Sequence, residues 1–90
     1  MEKLKKVYKY FKVVAVSENT NSFGLYGVVL LAKDGVAYQA GHSGFLVPSQ
    51  GSDVAIEIIK SGLNWGGAGF EIPEKKPSAP PEVVEQVWGK

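Results

Sequence analysis

Apolar and β-branched residues fill the stretch from Tyr26 to Gly41, interrupted near its middle by Asp34-Gly35. Glycine accepts the positive φ of a tight turn, so the pattern predicts an antiparallel hairpin. A two-residue loop fixes a register. Lys33 then opposes Val36, Ala32 opposes Ala37, Leu31 opposes Tyr38 and Val29 opposes Ala40. Side chains alternate along a strand, so Val29, Leu31, Tyr38 and Ala40 share one face.

Upstream, Lys5 to Val16 is dense in β-branched and aromatic residues and predicts a long first strand. Tyr8, Tyr10, Val14 and Val16 fall on one side. Val7, Phe11, Val13 and Ala15 fall on the other, with Lys9. Two apolar faces describe a strand covered on both sides, or one bent at a barrel corner. Leu4, Val7, Tyr8 and Phe11 also match helical spacing, which makes a helical start the alternative. Ser17 to Gly24 reads as a polar loop, because Ser, Asn and Thr side chains compete for backbone partners.

Gly41-His42-Ser43-Gly44 ends the second hairpin strand, and Phe45-Leu46-Val47 is a short apolar stretch closed by Pro48. Residues 52–63 fit two templates. As a helix, Ser52 caps the start and Gly62-Leu63 resembles a C-terminal stop. As a strand, Val54, Ile56 and Ile58 share a face. The three isoleucines favour the strand. Asn64 to Gly69 is too rich in glycine for a regular element. Phe70-Glu71-Ile72 reads as a closing strand ended by Pro73. Pro73 to Pro81 reads as an extended, solvated connector. Pro81 to Gly89 reads as a short helix with Val83, Val84, Val87 and Trp88 in one stripe, Glu82 near its positive end and Gly89 at its stop.

These elements predict a small all-β fold, with α+β as the alternative. The expected form is a five-stranded antiparallel, partly open barrel, SH3-like or OB-like, with a short C-terminal helix. Residues 1–73 form the barrel, and residues 74–90 a proline-rich connector and docking segment. The expected core is Val14, Val16, Val29, Leu31, Tyr38, Val54, Ile56, Ile58 and Phe70.

Size sharpens this picture. A chain of 90 residues makes one domain with a thin core, and it has no cysteine for a disulfide or a thiolate metal site. Apolar packing or a partner subunit must supply its stability. No run approaches the ~20 apolar residues of a membrane span, and no signal-peptide pattern opens the chain. A cytoplasmic setting, of a bacterial or other cell or of a virus-infected host, is the expectation.

All ten basic residues are lysine. Arginine forks onto guanine edges and phosphates, so its absence argues against sequence-specific DNA reading. The net charge of +1 hides an asymmetry. The first twelve residues hold five lysines and one glutamate, and the remainder five lysines and eight acids. A basic head on a mildly acidic body suits a polyanion or an acidic partner.

Two binding surfaces follow. The tail stripe Val84, Val87 and Trp88, together with Trp65, suits protein interaction, because a small domain seldom leaves two tryptophans in water. Lys5, Lys6, Tyr8, Lys9 and Tyr10 suit single-stranded nucleic acid, with lysines on phosphates and rings under bases. The same lysines also read as a solvated strand edge. Pro77-Ser78-Ala79-Pro80 is a bare PxxP without the flanking arginine that strengthens such motifs.

No catalytic residue is assigned and no enzyme is expected. A hydrolytic set around His42, with Ser43, Asp53 and Glu57, lacks a nucleophile elbow or any converging spacing. The polar loop around Glu18 has too few carboxylates for calcium, and Gly66 to Gly69 lacks the lysine and hydroxyl of a phosphate loop. Neither a metal nor a cofactor is expected. The leading expectation is a non-enzymatic interaction module, an adaptor, inhibitor or assembly subunit, that binds another protein or copies of itself. A single-strand nucleic-acid binder is the alternative, and a small hydrolase around His42 the third reading.

Overall fold

One strand, β1 (Val7–Thr20), organises the molecule, because it is long enough to serve two neighbours in succession. The structure is a computed structural model that describes residues 6–44, 46–60, 62–65 and 74–89. The other elements are β2 (Tyr26–Ala32), β3 (Ala37–His42), β4 (Asp53–Ile59), β5 (Gly62–Asn64), β6 (Glu74–Lys76) and α1 (Pro81–Trp88). Val7 to Lys12 pair with β4, while Phe11 to Thr20 pair with β2. The two partners overlap only around Phe11 and Lys12, so β1 passes from one half of the sheet to the other, as at a barrel corner. The strands order as β5-β4-β1-β2-β3-β6, every pair antiparallel, and the sheet curls into a nearly closed barrel.

The all-β class and the C-terminal helix match expectation, with six strands among the described residues where five were expected. The strand reading of residues 52–63 holds as two strands and not one: β4 is followed by a turn at Lys60, β5 returns antiparallel to it, and Gly62 begins that strand instead of ending a helix. The sixth strand, β6, lies within the stretch expected to be open connector. Glu74, Lys75 and Lys76 pair with Gln39, Tyr38 and Ala37, so the open connector shrinks to residues 77–80. The polar loop is shorter than expected too. β1 continues to Thr20, and the turn is held by Asn21, whose Oδ1 accepts the N–H groups of Phe23 and Leu25. The expected strand at Phe70 to Ile72 lies outside the described residues.

The hairpin forms one residue out of the expected register. Leu30, not Leu31, opposes Tyr38, and Val28 opposes Ala40. The cause is the turn. Gly35 N–H donates to the Ala32 carbonyl, Ala32 N–H donates to the Val36 carbonyl, and Gly35 has φ +96°. Lys33, Asp34 and Gly35 therefore form a three-residue loop, a type I turn followed by a glycine bulge. A one-residue slip exchanges faces. Val28 and Leu30 join the core where Val29 and Leu31 were expected.

A second exchange occurs in β1. Val13 opposes Leu30 but Ala15 opposes Val29, so Val14 is an extra residue in a bulge. Phe11 and Val13 point inward before it, and Val16 packs inward after it. The buried cluster is Phe11, Val13, Val28, Leu30, Ala32, Ala40, Ile56 and Leu63. Val16, Tyr38, Val54 and Ile58 pack against it as expected, whereas Val14 and Val29 do not belong to it. Phe70 lies outside the described residues.

Candidate interaction surface

The tail packs on the outside of the barrel. Helix α1 has no side-chain cap at Pro80, no basic residue in its last turn and no fully buried residue. Eight residues do not hold a helix in water unaided, so tertiary contacts must hold it. Ala79 N–H donates to the Gly35 carbonyl, 2.9 Å, which pins the connector to the hairpin tip. Trp88 Nε1–H donates to the Leu31 carbonyl at 3.0 Å, and Lys12 Nζ lies 4.9 Å from the centre of the indole. Leu31 is only 3% exposed although it faces away from the core, on the side where the helix lies. Val84, Val87 and Trp88 are half-buried together here, while Val83 is exposed. A groove of about 380 Å³ remains between the hairpin turn at Lys33 and Asp34 and the tail at Ala79, Pro81, Val84 and Trp88.

Trp65 sits elsewhere. It packs against the core, its ring edge-on to His42 with centroids 5.1 Å apart. His42 ends β3 and is only 6% exposed, so it is not a loop histidine in water. Its Nδ1 accepts the Gly44 N–H at 3.2 Å. Burial pushes its pKa below the ordinary histidine value. The partners imagined for a hydrolytic set are engaged otherwise, Asp53 with Lys12 at 3.2 Å and Glu57 with Asn64 at 2.9 Å. Among the described residues no three His, Cys, Asp or Glu side chains gather as metal ligands.

The Lys/aromatic head divides by strand alternation. Lys9 shares the inward parity of Phe11, at the rim, and its Nζ reaches Asp34 at 2.6 Å. That hydrogen bond, with one from the Val36 N–H, holds the Asp34 carboxyl below its usual range. Tyr8 and Tyr10 point outward and are 56% and 66% exposed. Lys12 continues their row and meets Trp88. On β4 the facing residues are Glu57 opposite Tyr8 and Ala55 opposite Tyr10. Ile59 is exposed on the same side of β4, and Lys6 is exposed one step before the first pair. Lys5 lies outside the described residues.

The fold and this face together define a small antiparallel barrel with an outward aromatic patch and a docked tail. Comparison with protein-family models, curated proteins and solved structures gives no match. No helix among the described residues is long and apolar enough to cross a membrane.

Proposed function

We propose that the chain is a non-enzymatic protein-interaction module, an adaptor, inhibitor or assembly subunit, that binds through the outward face of β1 and β4. One observation carries this: Tyr8 and Tyr10 stand side by side in solvent on a regular strand, where alternation ordinarily places polar residues. Tyrosine is a favoured anchor at interfaces because it buries a large rigid ring and still offers a hydroxyl. Ala55 and Ile59 extend the apolar centre, and the rim is polar, with Lys12 paired to Asp53 and Glu57 bonded to Asn64. The tail, already docked in cis, borders this face at Trp88.

Charge separates this reading from the nucleic-acid alternative. A polyanion binds by releasing counterions from uncompensated cations. Lys9 and Lys12 each already share a carboxylate, and Glu57 stands beside Tyr8. A neutral aromatic face suits a protein partner or a second copy better. SH3-like or OB-like kinship and a cytoplasmic setting, bacterial or viral, belong to this proposal.

The test is the double variant Tyr8→Ser/Tyr10→Ser. Both rings are exposed, so the melting midpoint should move little. Self-association measured by sedimentation, and capture of partner proteins, should fall at least tenfold, a loss of about 1.4 kcal/mol or more. Unchanged association overturns the assignment of this face. Oligonucleotide binding that weakens steeply between two salt concentrations, and is lost in the double variant, moves the function to single-stranded nucleic acid.

A further inference from the structure

We propose that the hollow above Gly27 is a second binding site, one that takes a neutral sugar ring, a hexopyranose either free or at the end of a glycan. The hollow measures about 290 Å³ and lies where the end of β1, the turn after it and the β2–β3 pair meet. Ser17, Asn19 and Thr20 line it from β1, Asn21 from the turn and Gln39 from β3. Gly27 and Gln39 are diagonal neighbours on the outward face, since Gln39 opposes Val29.

The backbone makes this space in two ways. Between Val16 and Thr20 the pairing of β1 with β2 loses register, so residues 17–19 bulge opposite Gly27. Ser17 Oγ stands in for a strand partner there. It accepts the Gly27 N–H at 2.8 Å and donates to the Asn19 carbonyl at 2.9 Å. The second is the missing side chain at Gly27, which the fold does not require. Its φ is not positive. A Cβ would stand 3.6 Å from Gln39 Nε2 and 3.8 Å from Ser17 Oγ, which are ordinary contact distances. Glycine inside a strand gives up backbone entropy and packing, and it marks positions that a ligand approaches closely. Here it keeps open the space between an amide and a hydroxyl.

The walls select the chemistry of the occupant. No ionisable side chain is among the described residues that line the hollow, so neither an anion nor a cation finds its counter-charge there. Glu74, opposite Gln39 on β6, is already shared with Lys76 at 3.6 Å. The side chains of Asn19, Thr20 and Gln39 have no partner among the described residues. Each offers a donor and an acceptor, and so does every sugar hydroxyl, which lets neighbouring hydroxyls pair with them without charge. Phe23 lies in the turn between Asn21 and Leu25, which both line the hollow, and is 76% exposed. An aromatic ring in water beside amides and hydroxyls suits the CH face of a sugar.

The experiment follows the Gly27 backbone amide and the Asn19 and Gln39 side-chain amides by heteronuclear NMR of the full chain. The probes are the methyl glycosides of glucose, galactose, mannose and N-acetylglucosamine, and the trisaccharides built from them. A ligand of about a dozen heavy atoms binds so open a hollow in the millimolar range, so saturable shifts are expected there with at least one glycoside. Tighter binding of its trisaccharide identifies the end of a glycan as the occupant, and equal binding the free sugar. Gly27→Ala fills the hollow and should weaken binding about tenfold or more, with a melting midpoint no lower than the parent's. Gln39→Ala, at an exposed position, should weaken it as well without unfolding the chain. Tyr8→Ser/Tyr10→Ser should leave it unchanged, because roughly 30 Å of strand separates Tyr8 from Ser17. The absence of saturable shifts with every probe overturns the site. So does binding that survives both Gly27→Ala and Gln39→Ala, and so does a Gly27→Ala chain that melts lower, which assigns the glycine to the fold.

Discussion

At the residue scale, Gly35 couples two parts of the molecule. Its φ of +96° makes the turn, its N–H and carbonyl bond Ala32 and Ala79, and a Cβ there would meet the Ala79 carbonyl at 3.2 Å and Val84 at 3.7 Å. Gly35→Val should therefore cost about 2 kcal/mol or more, combining left-handed backbone strain with a displaced connector. Thermal melts measure the cost, and a shift of Trp88 emission toward that of solvated indole shows the tail loosening. The need for glycine was legible in Asp34-Gly35. The contact with Ala79 was not, since no local pattern links residues more than forty positions apart.

Elements were legible where period and residue type agreed. Both hairpin strands, the bent first strand and the C-terminal helix are present, and the strand read over residues 52–63 is present as two, β4 and β5. What failed was parity. Asp34-Gly35 serves a two-residue loop as well as the end of a three-residue one, and only the hydrogen bonds of Ala32 decide between them. The bulge at Val14 hid in a run of β-branched residues in which every choice of face looked apolar. β6 was missed because Glu74-Lys75-Lys76 has no apolar face and is a strand only by pairing with β3. Ile56 escaped these ambiguities. It is 1% exposed in the centre of β4, opposite Lys9. Ile56→Ala should cost about 2–5 kcal/mol in urea melts, a large share of what so small a core provides.

At the scale of the whole molecule, the unresolved choice in the sequence was where the Val/Trp stripe finds cover. Composition required cover for Val84, Val87 and Trp88 but could not say whether it came from the same chain. The structure places them on the chain's own barrel, with the Trp88 indole bonded to Leu31 and lying beneath Lys12. Leu31 explains why. The slip that removed it from the core left a large apolar side chain on the outer face, and the helix covers it. Trp88→Ala should then destabilise the chain by about 1–3 kcal/mol, less than a fully buried tryptophan because the ring is only half covered. Intramolecular docking makes that loss independent of protein concentration, whereas an obligate contact between copies would raise the melting midpoint with concentration. Melts of the parent and of Trp88→Ala over a hundredfold concentration range distinguish the two. Parallel, concentration-independent shifts support docking in cis, and a midpoint that climbs with concentration only in the parent assigns Trp88 to an interface between copies.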